Sequence, residues 1–134
     1  NFMQNSTIAK LLNEADKKLQ WAEKEYNRPS EDVVEMSVCL SVKEVMNKYL
    51  KAFLLFHNIT PDDSGALADL VTQCISVNEH FAEIDLSSVF CKNLNTENHG
   101  RYCLSNEKTK ECFAVAKKTR EMVMKEINLL IQTQ

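Results

Sequence analysis

Two glycines and two prolines in 134 residues leave this chain very little with which to turn. Gly and Pro are the strongest punctuation of local structure, and a fold of many short strands needs a turn signal every few residues. Their scarcity predicts long helices joined by few connections. The apolar share, 44%, is that of a chain with enough hydrophobic surface to fold. At this length one domain, residues 1–134, is expected, burying roughly two-thirds of its unfolded surface.

Apolar spacing places the helices. Ile8, Leu11, Leu12, Ala15, Leu19, Ala22 and Tyr26 recur at three- and four-residue steps and predict a first helix from about Ser6 to Asn27, capped by Asn5 or Ser6. Trp21 lies off the centre of that stripe and is either an edge of the core or an exposed partner contact, the core being favoured because large aromatic side chains are mostly buried. Pro29 breaks this helix, and a second, the longest, is expected from about Glu31 to Phe56. Its apolar surface is wide, with Met36, Cys39, Leu40 and Met46 beside or behind the main stripe, which suits a central helix or one with a second face in a dimer. Pro61 with Thr60 as cap predicts a third helix from Pro61 to Val77. A fourth is expected over Glu79–Leu94, a polar loop over Asn95–Leu104, and a last helix from Ser105 to about Ile131. The expected fold is all-α, an antiparallel up-and-down bundle of about five helices.

Charge is uneven along the chain. Residues 1–29 carry five basic and four acidic side chains, residues 30–100 four and eleven, and residues 101–134 seven and four. The net of −3 argues against extensive duplex nucleic-acid binding, which calls for a strongly basic face. Lys117, Lys118 and Arg120 form a short basic cluster, read as a solvated face before a phosphate contact. No apolar run reaches the roughly 18 residues of a membrane span, and the opening residues lack the basic and apolar regions of a signal peptide. Cys39, Cys74, Cys91, Cys103 and Cys112 form no Cys-x-x-Cys pair; their odd number and helical spacing predict buried free thiols and a reducing, cytoplasmic setting. Without a secretory signal, Asn5-Ser6-Thr7 and Asn58-Ile59-Thr60 are chance matches to a glycosylation acceptor. Cys91, His99 and Cys103 lack zinc-like spacing, so no metal or other cofactor is expected. There is no phosphate-binding Gly-rich loop, zinc-protease motif or nucleophile elbow, and no catalytic residue is assigned.

One run has a distinctive texture: Asn47-Lys48-Tyr49-Leu50-Lys51-Ala52-Phe53-Leu54. Its lysines sit three apart and share a helix face, while Leu50, Phe53 and Leu54 point elsewhere. The run resembles the central-helix signature of the HEPN domain family, a Glu-Lys pair followed by Leu-Lys-Ala and two large apolar residues. Ala15-Asp16-Lys17-Lys18-Leu19-Gln20-Trp21-Ala22 is similar to that family's first helix, and Arg101-Tyr102 to the Arg-Tyr-Pro segment before its last helix. The three fall in the family's order and spacing, so the resemblance covers most of the chain.

The resemblance implies a homodimeric helical domain that binds a nucleotide or partners a nucleotidyltransferase. It assigns Asn47, Lys48, Lys51, Arg101 and Tyr102 to binding. Arg101, just before a helix start, suits an anion, and Tyr102 suits base stacking or a dimer core. The departures bear on activity. Asn47 replaces the family's Glu, Cys103 its Pro, and Ser64-Gly65-Ala66-Leu67 lacks the His of its His-Asp-Leu. Ribonuclease members carry an Arg followed by four to six residues and then a His; none of Arg28, Arg101 and Arg120 is so followed. RNA cleavage of that kind needs the imidazole to move protons. The implied function is therefore a non-catalytic nucleotide-binding or adaptor domain. A divergent ribonuclease and a purely structural interaction module remain as alternatives.

Overall fold

The computed structural model describes residues 2–27, 35–89 and 106–132. Within them are four α-helices and no strand: α1 (Phe2–Tyr26), α2 (Glu35–Phe56), α3 (Leu67–Val77) and α4 (Asn106–Gln132). Two 3-10 turns, Glu79–Glu83 and Leu86–Ser88, follow α3. The all-helical expectation holds over the described residues, which contain four of the about five helices expected.

Helix α2 is the axis of the core. Val38, Val42, Val45, Met46, Tyr49, Leu50, Phe53 and Leu54 are completely buried, so α2 is covered by its neighbours over most of its circumference. Helix α1 brings Ile8, Ala15, Leu19 and Ala22 against it, and α4 brings Cys112, Phe113, Ala116, Val123 and Ile127. Ala15, Ala22 and Ala116 are fully buried, and their small side chains allow close packing where the helices meet.

Polar contacts fix the helix directions. Glu14 pairs with Lys48 at 3.2 Å and Lys18 with Glu44 at 2.9 Å, so α1 and α2 are antiparallel. Asp16 pairs with Arg120 at 3.0 Å and Glu23 with Lys117 at 2.6 Å, so α4 is also antiparallel to α1 and runs with α2. Strict up-and-down alternation is thus replaced by a different order.

The connector 57–66 accounts for part of that difference. Helix α2 ends in a Schellman motif: the Ile59 N–H donates to the Leu54 carbonyl, the Asn58 N–H to the Leu55 carbonyl, and Asn58 adopts φ 61°. The chain then travels back along the molecule. The start of α3 lies beside Lys43, Glu44 and Asn47, while Cys74, further along α3, meets the Leu50 carbonyl. Helix α3 therefore follows α2 in direction. It also begins at Leu67, later than Pro61 would suggest. Asp62 accepts the Ser64 N–H, Ser64 Oγ accepts the Ala66 N–H, and Gly65 sits at φ +83°. These local bonds hold residues 62–66 in turns rather than helix.

Over residues 79–89, the described part of the fourth helix expected at Glu79–Leu94, two 3-10 turns stand in place of an α-helix. Asn78 accepts the His80 N–H and Asp85 accepts the Ser87 N–H, each starting a separate 3-10 turn. Phe81 is nonetheless fully buried, its ring centroid 4.5 Å from that of Phe53. Trp21, expected at the core edge, is 46% exposed, and Leu40 is 59% exposed. Residues 28–34, the 90–94 end of the expected fourth helix, the loop expected over Asn95–Leu104 and the expected helix start at Ser105 lie outside the described residues.

Candidate functional site

Lys43, Asn47 and Lys51 lie four residues apart on α2 and form one polar stripe. Lys43 and Asn47, with Glu44, form one wall of a groove of about 400 Å³; Gly65, Ala66, Leu67 and Ala68 form the other. The groove therefore meets the first turn of α3. Ala66 is the N-cap and makes no side-chain cap bond, so the first turn of α3 lacks the usual side-chain acceptor at its cap. Gly65 has no atom within 4 Å of where a Cβ would stand, so its left-handed φ, rather than a close approach, is what favours glycine. Glu44 is held by Lys18, which offsets its charge beside the groove.

The resemblance-based residues thus divide. Asn47 lines the groove, and Lys51 lies one turn further along the same stripe. Lys48 turns the other way and pairs with Glu14 on α1. Arg101 and Tyr102 lie outside the described residues, as do Cys91, His99 and Cys103. Lys43 and the start of α3 were missed. The available signal for Lys43 was its four-residue offset from Asn47; the α3 start was hidden because Pro61 marked an earlier one.

A second polar centre joins α1, α2 and α4. Asp16 Oδ1 accepts both the Tyr49 hydroxyl and Arg120 Nε, the latter at 3.0 Å. Burial, then the Asp16 hydrogen bond and charge, push the Tyr49 phenol well above its ordinary range, so it remains neutral. The hydrogen bond to Asp16 holds the Arg120 guanidinium in its charged form. The basic cluster of α4 is likewise engaged: Lys117 with Glu23 at 2.6 Å and Lys118 with Glu83 at 3.5 Å. These cations stay largely exposed, as a solvated face would, while pairing with Glu23, Glu83 and Asp16.

Cys39, Cys74 and Cys112 are buried free thiols, as expected, and burial pushes the Cys74 thiol up to about 12. Among the described residues no cluster of three metal-ligating side chains occurs, and no helix is long and apolar enough to cross a membrane. Comparison with protein-family models, curated proteins and solved structures finds no match to this chain.

Proposed function

We propose that this chain is a non-catalytic, HEPN-like nucleotide-binding domain whose ligand phosphate lies in the groove between α2 and the start of α3. The homodimer, and an adaptor role towards a nucleotidyltransferase as the alternative to nucleotide binding, rest on the HEPN resemblance of the sequence alone. The observation that carries the reading is the meeting of Lys43, Asn47 and the uncapped first turn of α3 in one groove. A phosphate there accepts backbone N–H bonds at the positive end of a helix, with an ammonium and a carboxamide as further donors. The volume of about 400 Å³ is in the range of small-molecule sites. The non-catalytic reading rests on the missing Arg-to-His spacing in the sequence.

Thermal-shift titration with nucleoside mono-, di- and triphosphates, with and without Mg²⁺, tests this. A ligand at about one hundred times its Kd stabilises by about 2.7 kcal/mol, a shift of several degrees for a domain of this size. Asn47→Ala with Lys43→Gln should abolish the shift. A flat panel on folded protein would remove the nucleotide reading and leave an interaction module.

A further inference from the structure

Lys10, Lys17 and Lys24 are exposed and recur every seven residues along α1. Successive members are about 10 Å apart along the axis, and all three fall within a narrow arc of the helix. Trp21, four residues after Lys17 and three before Lys24, lies in the same arc. Among the described residues no ion pair engages these lysines, whereas Glu14, Asp16 and Glu23 of the same helix pair with α2 or α4. Three of the helix's four acids thus turn towards its neighbours, while Lys10, Lys17 and Lys24 stand outward.

A second observation coincides with this column. The exposed large hydrophobic residues of the described chain are Trp21 and Leu40. They stand at the same level of the α1–α2 hairpin. Lys18 pairs with Glu44, Trp21 is three residues beyond Lys18, and Leu40 is four residues before Glu44 on the antiparallel helix. Both consequently lie on the side of the hairpin that carries the Lys18–Glu44 pair. An exposed tryptophan beside an exposed leucine, flanked by lysines at heptad spacing, complements one chemistry.

We propose that the outer face of α1, with Leu40 of α2, docks an acidic amphipathic helix of a protein partner. The partner's apolar residues cover Trp21 and Leu40, and carboxylates at seven-residue intervals meet Lys10, Lys17 and Lys24. Tryptophan is the residue type most suited to anchor such a contact, and charge pairs along the rim set orientation and association rate. Leu40 favours a peptide over a nucleic-acid strand, since a strand has bases for Trp21 and phosphates for the lysines but no use for a second aliphatic anchor. This surface is distinct from the groove at α3 and does not depend on a nucleotide.

The chain has one tryptophan, so its emission reports this face directly. The test titrates the full chain with a helical peptide bearing leucines at i and i+4 and glutamates every seventh residue. Parallel titrations use the same peptide with lysines for glutamates, and an oligo-dT strand. The expected result is a saturable blue shift with the acidic peptide alone, weakening as salt rises. Lys10→Gln, Lys17→Gln and Lys24→Gln together should weaken binding about tenfold, from three exposed pairs of modest worth each. Leu40→Ala should weaken it independently, and the fold, followed by circular dichroism, should be unchanged in both variants. No emission change with the acidic peptide, equal response to the lysine peptide, or a response to the oligonucleotide in its place would each overturn the proposal.

Discussion

At the scale of single residues, Asn58 and the Asp16 centre show what sequence pattern conceals. Asn58 was visible only as part of a chance glycosylation match, yet it closes α2 at φ 61°. Asparagine tolerates the left-handed region better than most residues, and glycine better still. Urea denaturation should find Asn58→Ala less stable by about 1 kcal/mol and Asn58→Gly no less stable than wild type. Asp16 and Tyr49 were both within resemblance motifs, but nothing in either motif pairs them, because their contact comes from the antiparallel crossing of two helices. Asp16→Ala leaves a buried hydroxyl without its acceptor, whereas Tyr49→Phe removes the hydroxyl itself. The first should therefore cost more, on the order of 1–3 kcal/mol, by the same measurement. His57 gives a pH signature. Its ring packs against Phe53 and Phe56 at centroid distances of 4.6 and 5.6 Å, and burial lowers its pKa below 6.5 despite the opposing charge of Glu126. The unfolded state then binds the proton more readily than the folded state. Stability from this site is full above pH 6.5 and declines as pH falls through that value towards the folded pKa. Thermal midpoints should drop between pH 7.5 and 5.5, and His57→Gln should flatten that part of the profile.

At the scale of elements, long apolar periodicity was legible and short-range side-chain bonding was not. The spacing of Ile8, Ala15, Leu19 and Ala22, and of Val38, Val42, Val45 and Tyr49, is that of helix stripes, and these residues are buried in α1 and α2. Between α3 and the end of the second 3-10 turn the same periodicity misled. Phe81, Ile84 and Val89 are buried as a helix stripe would be, but Asn78 and Asp85 each take a backbone N–H and restart the chain as a 3-10 turn. Pro61 misled in a related way: it permits a helix start, but Asp62, Ser64 and Gly65 form turns and defer α3 to Leu67. The 3-10 turn at Phe81 is part of the core rather than a surface decoration. Phe81→Ala should destabilise by about 3–5 kcal/mol in chemical denaturation, the range for truncating a buried aromatic ring. A loss near zero would mean that the turn contributes little to the core.

At the scale of the whole molecule, charges that look scattered in sequence become ordered. Carboxylates of α1 reach across to cations of α2 and α4, and the ion pairs at Glu14, Asp16, Lys18 and Glu23 match an α1 antiparallel to both. The exposed residues of α1 include Lys10, Lys17, Trp21 and Lys24, and between α2 and the start of α3 lies a groove lined by Lys43, Glu44, Asn47 and residues 65–68. Sequence showed Asn47 and Lys51 as candidates, because resemblance marks individual positions. It did not show the groove, because that depends on connector 57–66 returning the chain to the level of Lys43. A nucleotide phosphate is proposed to bind at that junction. Amide ¹H–¹⁵N spectra recorded during titration with the nucleotide that gives the largest thermal shift test it most directly. The account predicts saturable shifts concentrated at the backbone amides of Leu67 and Ala68 and the side-chain amide of Asn47, lost in Asn47→Ala with Lys43→Gln. Saturable binding that leaves Leu67 and Ala68 unmoved, or no binding by any nucleotide, would contradict it.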